Sequence, residues 1–260
     1  MSWALKRQIF YIIILFIFFG IFAFLVSYPY LNKEPTCNDK KQNGNETGID
    51  CGGSCILVCT FEVDKLSVLW SRTFPIVPGR YNAVAYVENQ NTNTAIYKIK
   101  YRFRFADKDN IYIGKREGEI SIPPAGKFAV FESAIDLGYS APVYTSFEFT
   151  EIPIWVNVLP EKINQLKILV GDIKLENEED SPIVSTTLKN KSLFTVPELN
   201  VVLILYDDLG NAISASRTYL ESLKGEEQVD INFTWPLPFD RKVITKEIIP
   251  MYNIFLAELK

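Results

Sequence analysis

The run YKIKYRFRF, residues 97–105, alternates large apolar side chains with cations at every second position. A period of two places the two sets on opposite faces of a β-strand, with one face buried and the other solvated. The buried set is predicted to be Tyr97, Ile99, Tyr101, Phe103 and Phe105. VVLILY, residues 201–206, is a more continuous β-branched run. Because no segment after residue 60 sustains helical periodicity for more than a few residues, the fold class is predicted to be all-β.

The second half of the chain echoes the first about 100 residues later. FRFADKDNIYI at 103–113 aligns without a gap with LILYDDLGNAI at 203–213, and AYVEN, ending at Asn89, corresponds to TTLKN, ending at Asn190. The aligned segments join two strands through an Asp/Asn/Gly turn, which is typical of hairpins. Regularly spaced short strands favour a β-sandwich. The sequence therefore predicts two tandem β-sandwich domains, at 61–160 and 161–260.

The second copy resembles a known family of extracytoplasmic domains. LILYDDLGN, with the strand that follows it, resembles the FxLYD-type, immunoglobulin-like domains at Leu203, Leu205, Tyr206 and Asp207, and the first copy matches at Phe103, Phe105 and Asp107. The resemblance implies two immunoglobulin-like β-sandwiches that serve as spacer or adhesive modules, with no catalytic residues to carry over.

An apolar segment precedes these domains. IFYIIILFIFFGIFAFLV, residues 9–26, carries no charged residue. At a rise of 1.5 Å per residue this segment is about 27 Å long, close to the hydrocarbon thickness of a bilayer. A cleaved signal peptide is the alternative, but bulky Tyr28 and Tyr30 stand where a cleavage site needs small residues. An uncleaved transmembrane helix is predicted over 9–27.

The charges beside this segment predict its direction. Lys6 and Arg7 precede it, and positive charge favours the cytoplasmic side. Residues 1–8 are therefore expected to form a cytoplasmic tail, and the chain from residue 28 onward is expected to lie outside the cell. The predicted localisation is the cell membrane, with a single pass and extracytoplasmic C-terminal domains.

All four cysteines, Cys37, Cys51, Cys55 and Cys59, fall in the linker at 28–60. Thiols oxidise outside the membrane, so the cysteines predict two disulfides. Three connectivities are compatible with the sequence, and we favour Cys37–Cys51 with Cys55–Cys59. Structural zinc is the alternative; an oxidising compartment and the Cys-x3-Cys spacing argue against it.

The same linker is rich in oxygen donors. CNDKKQNGNETGIDCGGSC resembles a C-x-D-G-x-x-N-x-x-E-T-G-x-D-C-G-G-x-C module of secreted and surface proteins, with Lys40 where that pattern has glycine. A loop of this composition could hold calcium, because hard cations prefer oxygen ligands. The candidate ligands are Asp39, Asn43, Asn45, Glu46 and Asp50. A covalent staple with no cofactor is the favoured interpretation, and calcium is the alternative.

Composition restricts the function. The chain has no histidine, which removes the usual general base near neutral pH and every Ser-His or Cys-His nucleophile. Its net charge of −4 does not indicate nucleic acid as a partner. Asp207 and Asp208 are adjacent in a strand pattern and would point to opposite faces, so they cannot act as an acid–base pair. A non-catalytic protein is predicted.

One face of the 97–105 strand is a candidate ligand surface. Lys98, Lys100, Arg102 and Arg104 share that face and could bind an anionic polymer such as an acidic glycan. The alternative is a solvated outer face whose cations pair with Glu117, Glu119 and Glu132 on neighbouring strands.

Together these patterns predict a membrane-anchored extracytoplasmic binding or scaffolding protein. The expected partner is an envelope protein or a surface glycan. Two alternatives remain: a non-catalytic or calcium-dependent subunit of an envelope enzyme or of a secretion or adhesion complex, and a passive structural spacer.

Overall fold

The computed structural model describes residues 3–31 and 36–259. The chain divides into two compact units, with the boundary between Cys55 and Ile56. Each unit is described by itself.

The first unit begins with one long apolar helix. Helix α1 spans Trp3–Leu31, and its stretch Arg7–Tyr28 is long and apolar enough to cross a membrane. None of that stretch is buried inside the protein. The predicted apolar helix is confirmed, and it extends several residues beyond each end of 9–27.

The second unit consists mainly of β-strands, which confirms the all-β class beyond residue 60. The strands of its first half are β1 Ser67–Val77, β2 Arg80–Asn89, β3 Thr94–Ala106, β4 Tyr112–Ile122, β5 Gly126–Asp136, β6 Tyr144–Phe149 and β7 Trp155–Asn157. A short helix, α2, follows at Pro160–Gln165. The strands of the second half are β8 Ile168–Val170, β9 Lys174–Glu176, β10 Ile183–Asn190, β11 Phe194–Tyr206, β12 Ala212–Leu223, β13 Gln228–Thr234, β14 Thr245–Met251 and β15 Glu258–Leu259.

These strands pair into four antiparallel sheets. The first half forms a sheet in the order β1-β2-β5 and a sheet in the order β4-β3-β6, with β7 also paired to β3. The second half forms a sheet in the order β13-β10-β8, with β9 on β10, and a sheet in the order β12-β11-β14, with β15 on β11.

The two halves meet through the sheets β1-β2-β5 and β12-β11-β14. Alternate residues of β2 face the second half: Asn82 Nδ2 donates to the carbonyl oxygen of Ala215 at 3.0 Å, and the Tyr86 hydroxyl donates to Glu247. On β11, Val202 and Ile204 belong to the core cluster of the first half. The central strands β2 and β11 are therefore buried on both faces, and the unit has four layers.

The double burial accounts for the continuous apolar run in β11. Val201, Leu203 and Leu205 pack into the core of the second half, while the residues between them pack towards the first half. Strands covered on both faces lose the alternation of apolar and polar residues. By contrast, β3 has one wet face and keeps its alternation.

Tyr97 is an exception to the predicted pattern of β3. It was expected to be buried with Ile99, but 50% of its surface is exposed. The pairing of β3 with β4 shifts register between Ile96 and Ile99, and this irregularity changes the face on which residue 97 lies. Its ring packs instead against Phe255, with 5.8 Å between ring centroids.

An asparagine occupies the same corner in each half. Asn89 and Asn190 are the last residues of β2 and β10, and both are fully buried. Asn89 Nδ2 donates to the carbonyl oxygens of Thr94 and Pro123. Asn190 Nδ2 donates to those of Phe194, Leu223 and Lys224. Each amide thus ties the end of one sheet to strands of the opposite sheet.

A carboxylate clasp lies where the two halves meet. Glu247 on β14 accepts hydrogen bonds from the hydroxyls of Tyr86, at 2.5 Å, and Tyr206, at 2.7 Å. Burial, followed by the hydrogen bond to Glu247 and its negative charge, raises the pKa of both tyrosines well above the usual value. The clasp therefore favours the protonated phenols.

Replacing the buried corner amide should destabilise the protein strongly. Asn190→Ala leaves three carbonyl oxygens without their donor, and we expect it to lower the free energy of unfolding by about 2–4 kcal/mol. Urea unfolding of the full chain in detergent micelles, followed by tryptophan fluorescence, measures the change. Asn232→Ala is the matched control because Asn232 is exposed; it should change the value by less than about 0.5 kcal/mol. Equal effects of the two substitutions would contradict the role of the corner.

The tyrosine clasp should make the fold sensitive to alkaline pH. The folded-state pKa of Tyr86 and Tyr206 is raised above the unfolded value, so their contribution is fully present below about pH 10 and is lost as the pH rises above it. We expect the thermal midpoint to fall more steeply between pH 9 and 11 in the wild type than in the double variant Tyr86→Phe/Tyr206→Phe. Tyr219→Phe, at an exposed position, should keep the wild-type slope. Identical slopes in all three proteins would show that the clasp does not titrate as described.

Candidate functional site

The cysteine loop is a covalent staple, but the favoured connectivity was wrong. All four cysteines are disulfide-bonded, and Cys37 is bridged to Cys55, with 5.7 Å between their Cα atoms. The bridge excludes both Cys37–Cys51 and Cys55–Cys59. Gly52 and Gly53 adopt positive φ, and the Cys55 amide closes a turn on the Gly52 carbonyl. This turn carries residue 55, and not residue 51, back to the start of the loop.

The predicted calcium ligands serve as internal hydrogen-bond acceptors or donors. Both carboxylate oxygens of Asp50 accept from the Lys40 amide at 3.1 Å, and the Asp39 carboxylate accepts from the Lys41 amide and from Asn43 Nδ2. Asn45 Oδ1 accepts from the Ser54 hydroxyl, and the Asn43 amide donates to Glu46. These side chains hold the loop in shape, and calcium binding stays a prediction.

One cluster with metal-like spacing is present in the loop. Cys37, Glu46 and Cys55 place their ligand atoms within 4.8 Å of one another, and no other such group occurs among residues 3–31 and 36–259. The two sulfurs share a disulfide, so neither is a thiolate that could bind zinc. The carboxylates of Asp39, Glu46 and Asp50 do not gather in this way.

Lys40 has a left-handed backbone conformation. Its φ is +60°, in the left-handed region that glycine adopts most easily. Lys40 adopts this conformation although it carries a side chain, and the two Asp50 oxygens hold its amide.

The four cations of β3 form a ladder of ion pairs. Lys98 pairs with Glu119, and Lys100 Nζ lies 2.7 Å from Glu151. Arg102 lies between Glu117 and Glu148, at 3.5 and 3.3 Å, and Arg104 lies 3.2 Å from Glu148. The hydrogen bond between Lys100 and Glu151 raises the pKa of the amine and lowers that of the carboxyl. Most of the positive charge on this face is thus compensated.

Glu132 was expected to pair with this face and does not. It lies on β5, in the other sheet of the first half. There it accepts a hydrogen bond from the Tyr101 hydroxyl at 2.8 Å and pairs with Arg116 Nε at 3.1 Å. Glu148 and Glu151, from β6 and the residues after it, take its place because β6 is the second neighbour of β3.

A cleft of about 950 Å³ opens beside strand β1. Its wall from the first half includes β1 residues 71–77 with Pro142, Val143 and Thr145, and its wall from the second half includes residues 209, 211–214 and 235–241. The lining is rich in aromatic and proline side chains, namely Phe74, Tyr81, Trp235, Phe239, Pro75, Pro78, Pro142, Pro236 and Pro238. Its charged lining residues in the described chain are Arg72, Asp240 and Arg241.

The segment 235–241 is fixed at both ends. Trp235 Nε1 donates to the Ser214 hydroxyl at 2.8 Å, and its ring packs edge-on against Phe239. Arg241 donates to Asp207 at 2.8 Å. Between these anchors Leu237 remains 51% exposed. The arrangement offers a preformed cleft wall in which an exposed leucine lies between fixed polar contacts, and such mixed surfaces suit binding.

Asp207 is an anchor for that segment. Its side chain is only 4% exposed, and its carboxylate accepts from the amides of Leu209 and Asn211 and from Arg241. Burial acts to raise the pKa of Asp207, but the hydrogen bonds from Asn211, Arg241 and Leu209 outweigh it and lower the pKa. The sequence indicated a turn at this position, and nothing in it suggested the link to Arg241.

Comparisons with known proteins give distant structural similarity only. No family model matches the chain, and no curated protein matches it in sequence. Red sea bream transglutaminase is similar over 73% of this chain, with 10% identity and a TM-score of 0.25, and the match covers 31% of that chain. A beta-glucuronidase from glycoside hydrolase family 2 is similar over 67% of this chain, with 9% identity and a TM-score of 0.22, and the match covers 24% of that chain.

Substitution of Gly53 should prevent correct closure of the cysteine loop. A Cβ at this position would lie 1.8 Å from the carbonyl oxygen of Asn45, and the φ of +59° is unfavourable for alanine. We expect Gly53→Ala to yield chains with alkylatable thiols or mispaired cysteines, whereas the wild type should show none before reduction. Intact mass after alkylation, and fragmentation of non-reduced peptides, measure both. Gly210→Ala is the control, because its φ is also positive but a Cβ there meets open space; it should leave the bridges intact. Normal oxidation of Gly53→Ala would contradict the close approach.

Proposed function

We propose that this chain is a membrane-anchored extracytoplasmic protein that binds or scaffolds a partner in the cell envelope. The observation that carries the proposal is a fully oxidised cysteine loop that follows directly on an apolar helix of membrane-spanning length. Disulfides persist in oxidising compartments, so the segment after α1 belongs outside the cytoplasm. In this proposal α1 is retained as an anchor, with Lys6 and Arg7 on the cytoplasmic side.

The second unit, called the β-unit below, would act as the module displayed outside the membrane. The order β1-β2-β5 against β4-β3-β6, and the corresponding arrangement in the second half, support two immunoglobulin-like sandwiches. Because their central sheets pack face to face, the pair would move as one body. A rigid body suits a scaffold, since little flexibility is lost when a partner binds.

The cleft beside β1 is the proposed contact surface for the partner. Aromatic and proline side chains line it, and Trp235, Phe239 and Arg241 hold its outer wall in place. Preformed clefts of this size with a few polar groups are common binding sites. The charged face of β3 is a weaker candidate for an anionic glycan, because its cations are already paired.

Site-specific photocrosslinking in intact cells tests the proposal. Benzoylphenylalanine at Leu237, in the cleft, should give a discrete adduct with one neighbouring protein after irradiation. The same probe at Leu193, which is 65% exposed but outside the cleft, should not give that adduct. Absence of an adduct from Leu237 would favour a passive spacer.

Protease added to intact cells should remove the β-unit, and protection of that unit would overturn the extracytoplasmic placement.

A further inference from the structure

Two exposed tyrosines flank a small residue on the outer face of the sheet β4-β3-β6. Ala106, at the end of β3, is paired with Tyr112 on one side and with Tyr144 on the other. The tyrosines are 58% and 54% exposed. Neither hydroxyl has a hydrogen-bond partner among the described residues. These three residues are called the tyrosine clamp below.

The strand spacing determines the width of the clamp. Neighbouring strands lie about 4.8 Å apart, so the Cα atoms of Tyr112 and Tyr144 are separated by about 9.6 Å. Ala106 forms a shallow floor between them because its side chain is a single methyl group. An exposed aliphatic residue precedes each tyrosine, Ile111 at 61% and Val143 at 56% exposure. Ile111 adds apolar surface at the turn beside Tyr112, whereas Val143 lines the cleft beside β1.

The charged groups beside the clamp are paired with one another. The next row across the sheet is Lys115, Arg104 and Ser146. The nearest carboxylates are engaged: Glu117 is shared by Lys115 and Arg102, and Glu148 is shared by Arg102 and Arg104. Asp107, in the adjoining turn, uses Oδ1 to accept from the amides of Asp109 and Ile111. The cations are thus paired as fully as these carboxylates, whereas the two tyrosine hydroxyls have no partner among the described residues and can donate.

We propose that the tyrosine clamp binds a proline-rich segment of a partner protein in the polyproline II conformation. One turn of that helix is about 9.3 Å long, so successive turns that cross the strands would contact the two rings in the same way. Proline has a carbonyl acceptor and no N–H donor, which matches a surface that offers donors. Aromatic-lined grooves are a general means of holding such segments. An acidic glycan fits less well, because the cations that would meet its carboxylates are already paired with Glu117 and Glu148.

This inference rests on the proposed binding function and can fail independently of it. Fluorescein-labelled decaproline is titrated against the full chain in nanodiscs, and fluorescence polarisation is recorded. We expect saturable binding that Tyr112→Ala and Tyr144→Ala each weaken by about tenfold or more, because aromatic anchors dominate such contacts. Ala106→Leu keeps both rings but fills the floor, and it should weaken binding to a similar degree. Tyr219→Ala, which removes an exposed tyrosine from β12, should bind as the wild type does.

Three results would overturn the inference. The first is that decaproline does not saturate the wild-type chain. The second is that the clamp variants bind decaproline as tightly as the wild type does. The third is that a glycine–serine decamer competes equally well. Binding of polygalacturonate that depends on Tyr112 and Tyr144, without binding of decaproline, would reassign the clamp to acidic glycans. If the probe at Leu237 gives a crosslinked neighbour but decaproline does not bind, the proposed function is retained and only the role of the clamp is rejected.

Discussion

The face-to-face packing of the sheets β1-β2-β5 and β12-β11-β14 is the contact on which the β-unit depends. Val84 on one side, and Val202 and Ile204 on the other, are fully or almost fully buried there, and burial of such side chains is worth about 1.5–3 kcal/mol each. Polar groups in this layer are also satisfied. Asn82 reaches the Ala215 carbonyl, and Glu247 receives two tyrosine hydroxyls. An apolar layer with satisfied polar groups gives one defined arrangement of the two halves.

This packing joins the two halves into one surface with fixed clefts. The cleft beside β1 takes one wall from each half, so its width is determined by how the halves meet. Arg72, which donates to the Ala212 carbonyl at 3.3 Å, spans the two walls. The start of β6 connects this cleft to the tyrosine clamp: Val143 and Thr145 line the cleft, while Tyr144 lies on the outer face. A single partner that follows this strand end would meet both surfaces.

Much of the fold follows from residue patterns, and the differences have identifiable causes. The alternation in 98–105 gives the correct faces of β3 because one side of that strand is wet. The run VVLIL was correctly interpreted as a strand. Its lack of alternation is typical of a sheet covered on both sides, and the packing of the two halves explains it. The two asparagines at the ends of AYVEN and TTLKN could be aligned from the sequence as equivalent positions of the two halves. Their buried hydrogen bonds depend on chain segments up to 34 residues away and cannot be derived from local pattern.

Less of the candidate site could be predicted from the sequence, for a similar reason. Spacing alone treats Cys51 and Cys55 as equivalent partners for Cys37, and only the turn at Gly52 and Gly53 separates them. Pairing of the β3 cations with Glu117 and Glu119 followed from the hairpin. Glu148 and Glu151 come from β6 and the residues after it, with Glu151 51 residues from Lys100, and the place of β6 beside β3 depends on sheet order. The cleft and the clamp both arise from such non-local order. Neither has a sequence motif.

The two outermost faces of the unit differ in a way that bears on where a partner binds. Outward positions of β10 and β13 carry mostly short polar side chains, and Thr187 there donates to Asp230 at 2.6 Å. The outer face of β4-β3-β6 instead carries a compensated charge ladder that ends in two exposed tyrosines. Side chains with large apolar area and few rotatable bonds lose little entropy on contact, and charge ladders keep unpaired sheets from associating at random. Under the proposed function, a face that combines both properties would contribute to selective recognition beside the cleft, whose walls come from both halves, whereas the outward positions of β10 and β13 offer mostly short polar side chains.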